Sequence, residues 1–253
     1  MYEEPYRWVE AIRNRREYLE EQLASGAPIV SLPFQNGLLL ATIGGGTAKL
    51  YEIYDQIVFG GIGHPADLEK LRTVVLDLSH VEGFNRSPTD VTVRRLIKFG
   101  LAPLVKQAFE EALHAPYICK IVMAEVSAPS GKPLFVRLNY DGVFEESEAT
   151  AVLAPTPQIG RRMEAFLNAA GETGALSLSD AVQLALRTWA VSKLPSDTEN
   201  EPPAPGQLDL LLKKSLQEGT VEIVLLDRTL PGSSKYRALS KGEIQAFIKV
   251  WLK

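Results

Sequence analysis

Ile29-Val30-Ser31-Leu32-Pro33-Phe34-Gln35-Asn36-Gly37-Leu38-Leu39-Leu40-Ala41-Thr42-Ile43 decides the fold. Ile29 to Phe34 is strand-like, and Leu38 to Ile43 returns as a second, apolar strand. Asn36-Gly37 between them is a hairpin signal, because both central residues of such a turn need positive φ. Gly44-Gly45-Gly46 then breaks the chain. Leu50 to Tyr54 and Ile57 to Ile62 follow as another strand pair around Asp55-Gln56. The stretch reads as an antiparallel sheet.

Upstream, Pro5 to Ala24 reads as a helix with an apolar stripe of Trp8, Ile12, Tyr18, Leu19 and Leu23, stopped by Gly26. Its basic cluster Arg13, Arg15, Arg16 is followed at once by Glu17, Glu20 and Glu21, a face of mixed ion pairs. Downstream, Pro65 opens a helix with Leu68, Leu71, Val75 and Leu78 on one side. Another helix is expected from about Thr89 to Ala112, kinked or broken near Gly100 because Pro103 lies inside its pattern. Strands resume at Tyr117 to Val126, turn at Ser130-Gly131-Lys132, return over Leu134 to Tyr140 and turn again at Asp141-Gly142. A third strand is expected at Ala149 to Leu153. Helices follow at Pro157 to Ala169 and Leu178 to Lys193, the second capped by Ser177 with Asp180. Residues 194–207 hold four prolines and read as a flexible insertion. A short helix (Leu208 to Leu216), two strands (Val221 to Asp227, Tyr236 to Leu239) and a final helix (Lys241 to Leu252, capped by Ser240) complete the chain.

Strand runs alternate with paired helices, whereas a parallel crossover fold alternates single strands and helices. The expected fold class is α+β: a four-layer αββα sandwich of two antiparallel sheets flanked by helix pairs.

The chain has 253 residues, 45% of them hydrophobic and 23% charged, enough for a substantial core. The formal net charge is −4 and basic residues are interspersed with acidic ones, which argues against a nucleic-acid partner. Cys119, the single cysteine, lies in an apolar run and reads as an inert core thiol. No stretch nears the roughly 20 apolar residues needed to span a bilayer, and Glu3 and Glu4 open no signal peptide. A cytoplasmic protein is expected, with no membrane partner.

Several chemical motifs fail. Gly44-Gly45-Gly46-Thr47-Ala48-Lys49 lacks the second glycine before the lysine and the hydroxyl residue after it, so it is no phosphate loop. Gly60-Gly61-Ile62-Gly63 reads as a place of close backbone approach. His64, His80 and His114 are each expected in loops at spacings that make no metal motif. Ser79-His80 reads as surface polar residues rather than a dyad. No cofactor is implied.

The run Ala48 to Gly63 is similar to the Lys-Ile-x-Glu-Leu-Tyr-Asp strand pair of actinobacterial proteasome α subunits. Asp67-Leu68-Glu69-Lys70-Leu71-Arg72 resembles their Glu-Phe-Asp-Asn-Leu-Arg helix, and Asp90-Val91-Thr92 an Asp-Val-Thr helix opening. Pro116-Tyr117, Ala124-Glu125-Val126 and Tyr140-Asp141-Gly142 match further short motifs in the same order. The resemblance runs over most of Arg13 to Leu252, and it implies the N-terminal-nucleophile (Ntn) hydrolase fold, the sandwich reached above from element order. Residues 1–26 would then form a gate segment and leader helix, and 27–253 the proteasome-subunit domain.

An active β-type subunit of that family starts its first strand with a processed threonine, ends the next with an acid and starts the third with a lysine. The threonine position falls near Ala27, the acid near Ile43 and the lysine on Lys49. Only the lysine is present, and Gly26-Ala27 lacks the glycine-threonine cleavage junction. The resemblance therefore implies an α-type subunit and no catalytic residue. Lys49, Gly63 and His64 would form the pocket that binds the carboxylate-ended tail of an activator, His64 standing where some relatives carry leucine. A plain surface lysine, or one paired with Glu52 or Asp55, is the simpler reading of Lys49. Met1, Tyr2, Glu3 and Glu4 would lie at the pore and gate, with His114 in a loop that narrows it. Ala154-Pro155 departs from a glycine pair in relatives. The implied partners are neighbouring α subunits in a homo-heptameric ring, proteasome β subunits, an ATP-driven unfoldase ring and unfolded protein substrates. Two alternatives stay open: a stand-alone ring without a peptidase partner, and a divergent active Ntn hydrolase.

Overall fold

A computed structural model describes residues 4–111, 115–126, 132–195, 203–204 and 206–252. Helix α1 (Glu4–Leu23) leads into β1 (Ile29–Phe34), β2 (Gly37–Gly44), β3 (Leu50–Tyr54) and β4 (Ile57–Gly63). Helix α2 (Pro65–Asn85) follows, then a 3-10 turn (Pro88–Asp90), α3 (Val93–Arg95), a π-helical turn (Leu96–Leu101) and α4 (Ala102–Glu110). Next come β5 (Cys119–Glu125), β6 (Leu134–Leu138), β7 (Phe144–Ser147) and β8 (Ala151–Leu153). The chain ends with α5 (Pro157–Ala169), α6 (Leu178–Val191), α7 (Gln207–Glu218), β9 (Thr220–Asp227), β10 (Tyr236–Ala238) and α8 (Lys241–Leu252).

One sheet has the order β10-β9-β2-β1-β8 and the other β3-β4-β5-β6-β7, with every pairing antiparallel. Three buried clusters define the layers. Val30, Leu32, Leu39, Ala41 and Ile43 pack with Met163, Ala185 and Trp189 beneath α5 and α6. Phe59, Ile121 and Met123 pack with Leu71, Val75 and Val105 beneath α2 and α4. Ile29, Leu38, Leu40, Val58, Ile62 and Val122 fill the space between the sheets. The expected αββα sandwich is the observed one. β1 and β2 are buried along their whole length because one face meets helices and the other meets the second sheet. A strand buried on both faces loses polar alternation, which is why this stretch reads as continuous apolar runs.

Local details differ from the expected ones for identifiable reasons. In the first hairpin Phe34 pairs with Gly37, so the turn is Gln35-Asn36, and neither residue has positive φ. Gly37 is required for another reason: a Cβ there would lie 1.9 Å from the Leu226 carbonyl oxygen. The Gly60-Gly61 expectation of close approach holds, since a Cβ on Gly60 would meet Leu50 at 2.9 Å and one on Gly61 would meet Leu68 at 2.5 Å. Near Gly100 the helix widens into a π turn, with Ala102 N–H bonding Ile97 O, just before Pro103 removes a donor.

His80 lies within α2, not in a loop, and packs edge-on against Tyr54 at 5.6 Å. Ser79 is fully buried rather than a surface residue, and its hydroxyl donates to Leu76 O at 2.7 Å. The strand expected at Ala149 to Leu153 is the short β8, and ahead of it the polar edge strand β7, in the other sheet, was not expected. The Ser130-Gly131 part of the expected turn, and residues 196–202 and 205 of the expected insertion, lie outside the described residues.

Candidate functional site

The start of β1, the end of β2 and the start of β3 converge at one end of the sandwich. Lys49 is tied there to both sheets. Its N–H donates to Glu222 Oε2 on β9 at 2.9 Å, and its carbonyl accepts from Gly61 N–H on β4 at 3.2 Å. Its side chain runs beside Gly44, where a Cβ would stand 3.4 Å from Cε and 3.7 Å from Nζ. Burial pushes the Lys49 ammonium below the ordinary lysine pKa, with Lys193 adding to that shift and Glu222 opposing it. Glu52 and Asp55 do not pair with it: Glu52 accepts from the Ser234 hydroxyl at 2.6 Å, and the Asp55 carbonyl accepts from Lys235 N–H. Lys49 is thus a half-buried cation with no ion pair among the described residues, an arrangement that favours an incoming carboxylate.

Near it, the two positions that the resemblance would align with a nucleophile and an acid hold Ala27 and Ile43. Ala27 is half-buried, and the neighbouring Pro28 carbonyl accepts from the buried Thr42 hydroxyl at 2.7 Å. Ile43 is 3% exposed and packs under the helices. At the start of α5, Lys120 Nζ donates to the Ala154 and Pro155 carbonyls at 3.2 and 2.8 Å.

Helix α1 closes the gap between the sheets. Leu19 and Leu23 are fully buried in the inter-sheet cluster. The helix is pinned from outside as well. Arg15 Nη1 donates to the Phe109 and Glu111 carbonyls at 2.8 Å, satisfying orphan groups at the end of α4. Arg16 reaches Asp141 at 3.4 Å, and the Tyr140 hydroxyl donates to Glu20 at 3.1 Å. The expected apolar stripe is only partly used: Trp8 and Tyr18 remain 47% and 49% exposed.

Gly63 ends β4, two residues past the one that bonds Lys49, and His64 follows it. Gly63 has φ +142, and a Cβ there would lie 1.9 Å from the Ile118 carbonyl oxygen. That carbonyl also accepts from His64 N–H at 2.9 Å. His64 Nδ1 caps α2 by accepting from Ala66 N–H at 3.3 Å. Its ring lines a cleft of 540 Å³ with Tyr18, Asp67, Lys70 and Tyr117. Lys49 is not among the residues of that cleft. Lys49 is thus bonded to Gly61, two residues before Gly63, while His64 lines a cleft that does not include Lys49. Met1, Tyr2, Glu3 and His114 lie outside the described residues; Glu4 begins α1.

Glu222, Lys193 and Lys120 shape this end of the molecule, and no motif in the sequence marked them. Cys119 is fully buried, and burial pushes its thiol pKa well up. No group of three or more metal-ligating side chains occurs among the described residues, nor any helix long and apolar enough to cross a membrane.

No protein-family model matches the chain. It is 30% identical over 234 residues to a proteasome subunit alpha of Streptomyces griseus, covering 91% of the chain and 78% of that relative. It is 28% identical over 244 residues to the subunit of the same name from Streptomyces avermitilis, covering 95% and 87%. A Frankia casuarinae proteasome subunit alpha is 27% identical over 221 residues, covering 86% and 85%. Likeness across nearly the whole chain, joined to the two-sheet sandwich, shows that the chain belongs to the proteasome α-subunit family.

Proposed function

We propose that the chain is a non-catalytic α-type subunit of a bacterial proteasome core in the cytoplasm. It forms a heptameric outer ring stacked on a ring of β-type subunits that holds the peptidase. The outer ring excludes folded proteins, docks an ATP-driven unfoldase and admits unfolded chain. One observation carries this reading. At the end of the sandwich where a nucleophile would be freed, position 27 is an alanine, and Leu19 and Leu23 of α1 fill the gap between the sheets. A methyl group cannot attack a peptide carbonyl.

Lys49 is the proposed anchor for the C-terminal carboxylate of an activator tail. Its half-buried, unpaired ammonium supports that role. Since His64 lines a cleft that does not include Lys49, the proposed receptor combines Lys49 of one copy with Gly63 and His64 of another. Met1 to Glu4 and His114 are assigned to the gate and pore. Exposed apolar side chains support assembly: Trp8 and Val9 on α1, Val81 and Phe84 on α2, and Phe99 on the π turn.

The test uses the purified chain alone and co-expressed with its β-type partner. Alone, it cleaves no fluorogenic peptide, and its intact mass retains Met1 or Tyr2. Lys49→Ala still assembles but loses stimulation of degradation by the unfoldase. A covalent peptidase-inhibitor adduct on this polypeptide, or processing before Ala27, overturns the assignment. Stimulation that survives Lys49→Ala overturns the anchor.

A further inference from the structure

A second cleft lies beside the β3–β4 turn, away from Lys49 at the other end of β3. It has a volume of 290 Å³ and is lined by Tyr54, Asp55, Gln56, the 3-10 turn around Pro88 and Thr89, Thr92, Glu125 and Ser233. Glu125, the last residue of β5, is only 4% exposed. Its Oε2 accepts from Val93 N–H at 2.6 Å and so caps the start of α3. That cap uses one carboxylate oxygen; among the described residues Oε1 has no donor. Gln56 Oε1 is buried and also has no hydrogen-bond partner. Asp55 lines the same cleft, and its carboxylate has no hydrogen bond or ion pair among the described residues. No cationic side chain lines the cleft.

A buried acceptor left without a donor costs free energy, and a buried carboxylate costs more. Here one buried acceptor without a donor, Gln56 Oε1, lines the same cleft as Glu125 and Asp55. A ligand that satisfies them carries positive charge and several N–H donors. A primary ammonium offers three donors on a compact charge at the end of an alkyl stem. Asp55 and Glu125 belong to no group of three or more metal-ligating side chains among the described residues, which makes a bare divalent cation the poorer fit.

We propose that this cleft is a receptor for a primary ammonium group, held by Glu125, Gln56 and Asp55. The ammonium comes either from a free polyamine or from a lysine side chain of a partner protein.

The experiment is calorimetric titration of the assembled protein with spermidine and, separately, with Nα-acetyl-lysine methylamide at constant ionic strength; n-butanol serves as the uncharged control. Saturable binding is expected for at least one ammonium probe and not for butanol. Binding of spermidine alone identifies the polyamine as the source, and binding of the lysine derivative a partner's side chain. Glu125→Gln keeps a cap for Val93 but removes the charge, and should weaken binding at least about tenfold, the loss of one charge-assisted hydrogen bond. Gln56→Leu leaves the cap untouched and should weaken binding severalfold. Glu10→Gln, the same charge change on exposed α1, should leave it unaltered. If neither probe saturates, the cleft holds water only, or the Gln56 amide turns to donate to Glu125, and the proposal fails. Affinity unchanged in Glu125→Gln overturns it equally.

Discussion

Leu23→Ala tests whether helix α1 is part of the core or an arm laid upon it. Leu23 is fully buried between the sheets, close to Gly26, where a Cβ would lie 2.2 Å from Ile62 Cγ2. The strands on both sides are locked in antiparallel ladders, so the space left by the truncated side chain cannot collapse. The loss should be about 3–4 kcal/mol, near the middle of the range for buried leucines. At roughly 2–4 °C per kcal/mol for a chain of this size, that lowers Tm by about 6–16 °C. Val9→Ala, on the same helix but 66% exposed, should cost no more than about 0.5 kcal/mol. Differential scanning calorimetry of the three proteins at one matched concentration reads the difference, since assembly makes Tm concentration-dependent. If Leu23→Ala costs no more than Val9→Ala, α1 does not seal the sandwich, and the closure ascribed to it is wrong.

Gly63→Ala meets both the φ of +142 and the 1.9 Å approach to Ile118 O, and should lose at least about 2–3 kcal/mol in urea denaturation; a neutral result would remove its role in pairing β4 to β5. Lys49 titrates below its ordinary value of 10.5 in the folded chain. Between the lowered value and 10.5 the unfolded chain binds more protons, so this group's contribution makes stability rise with pH there, while its penalty is full below the window. Stability of the wild type relative to Lys49→Met should therefore climb on approaching pH 10.5; a flat difference refutes the desolvation. The Cys119 thiol, buried and with its pKa raised, should resist a thiol-disulfide reagent in the native protein and react once the chain is unfolded in denaturant.

What the sequence could announce was whatever depends on neighbours in the chain. Ser177 accepts from Asp180 N–H, and Ser240 and Glu243 exchange hydrogen bonds, because a cap is a contact three residues long. The first hairpin was legible because two strands buried on both faces admit almost nothing but apolar residues. Strand β7 was not: Phe-Glu-Glu-Ser at a half-exposed sheet edge carries no apolar alternation. The Asn36-Gly37 signal found the hairpin but misread the glycine, whose need is set by β9, nearly two hundred residues later.

By itself, the order of apolar runs and turns determined the two-sheet sandwich, and residue identity at position 27 determined that no hydroxyl stands at the head of β1. Tertiary structure decided the surroundings. Lys49 meets a carboxylate 173 residues away. Glu125 completes a helix that begins 32 residues earlier. Lys120 occupies the carbonyls before α5. Desolvation and hydrogen-bond partnership are properties of space, fixed only when the two sheets stack. The sequence names the charged residues, and the stacked layers set which stay paired, which lose water, and which are left open to a ligand.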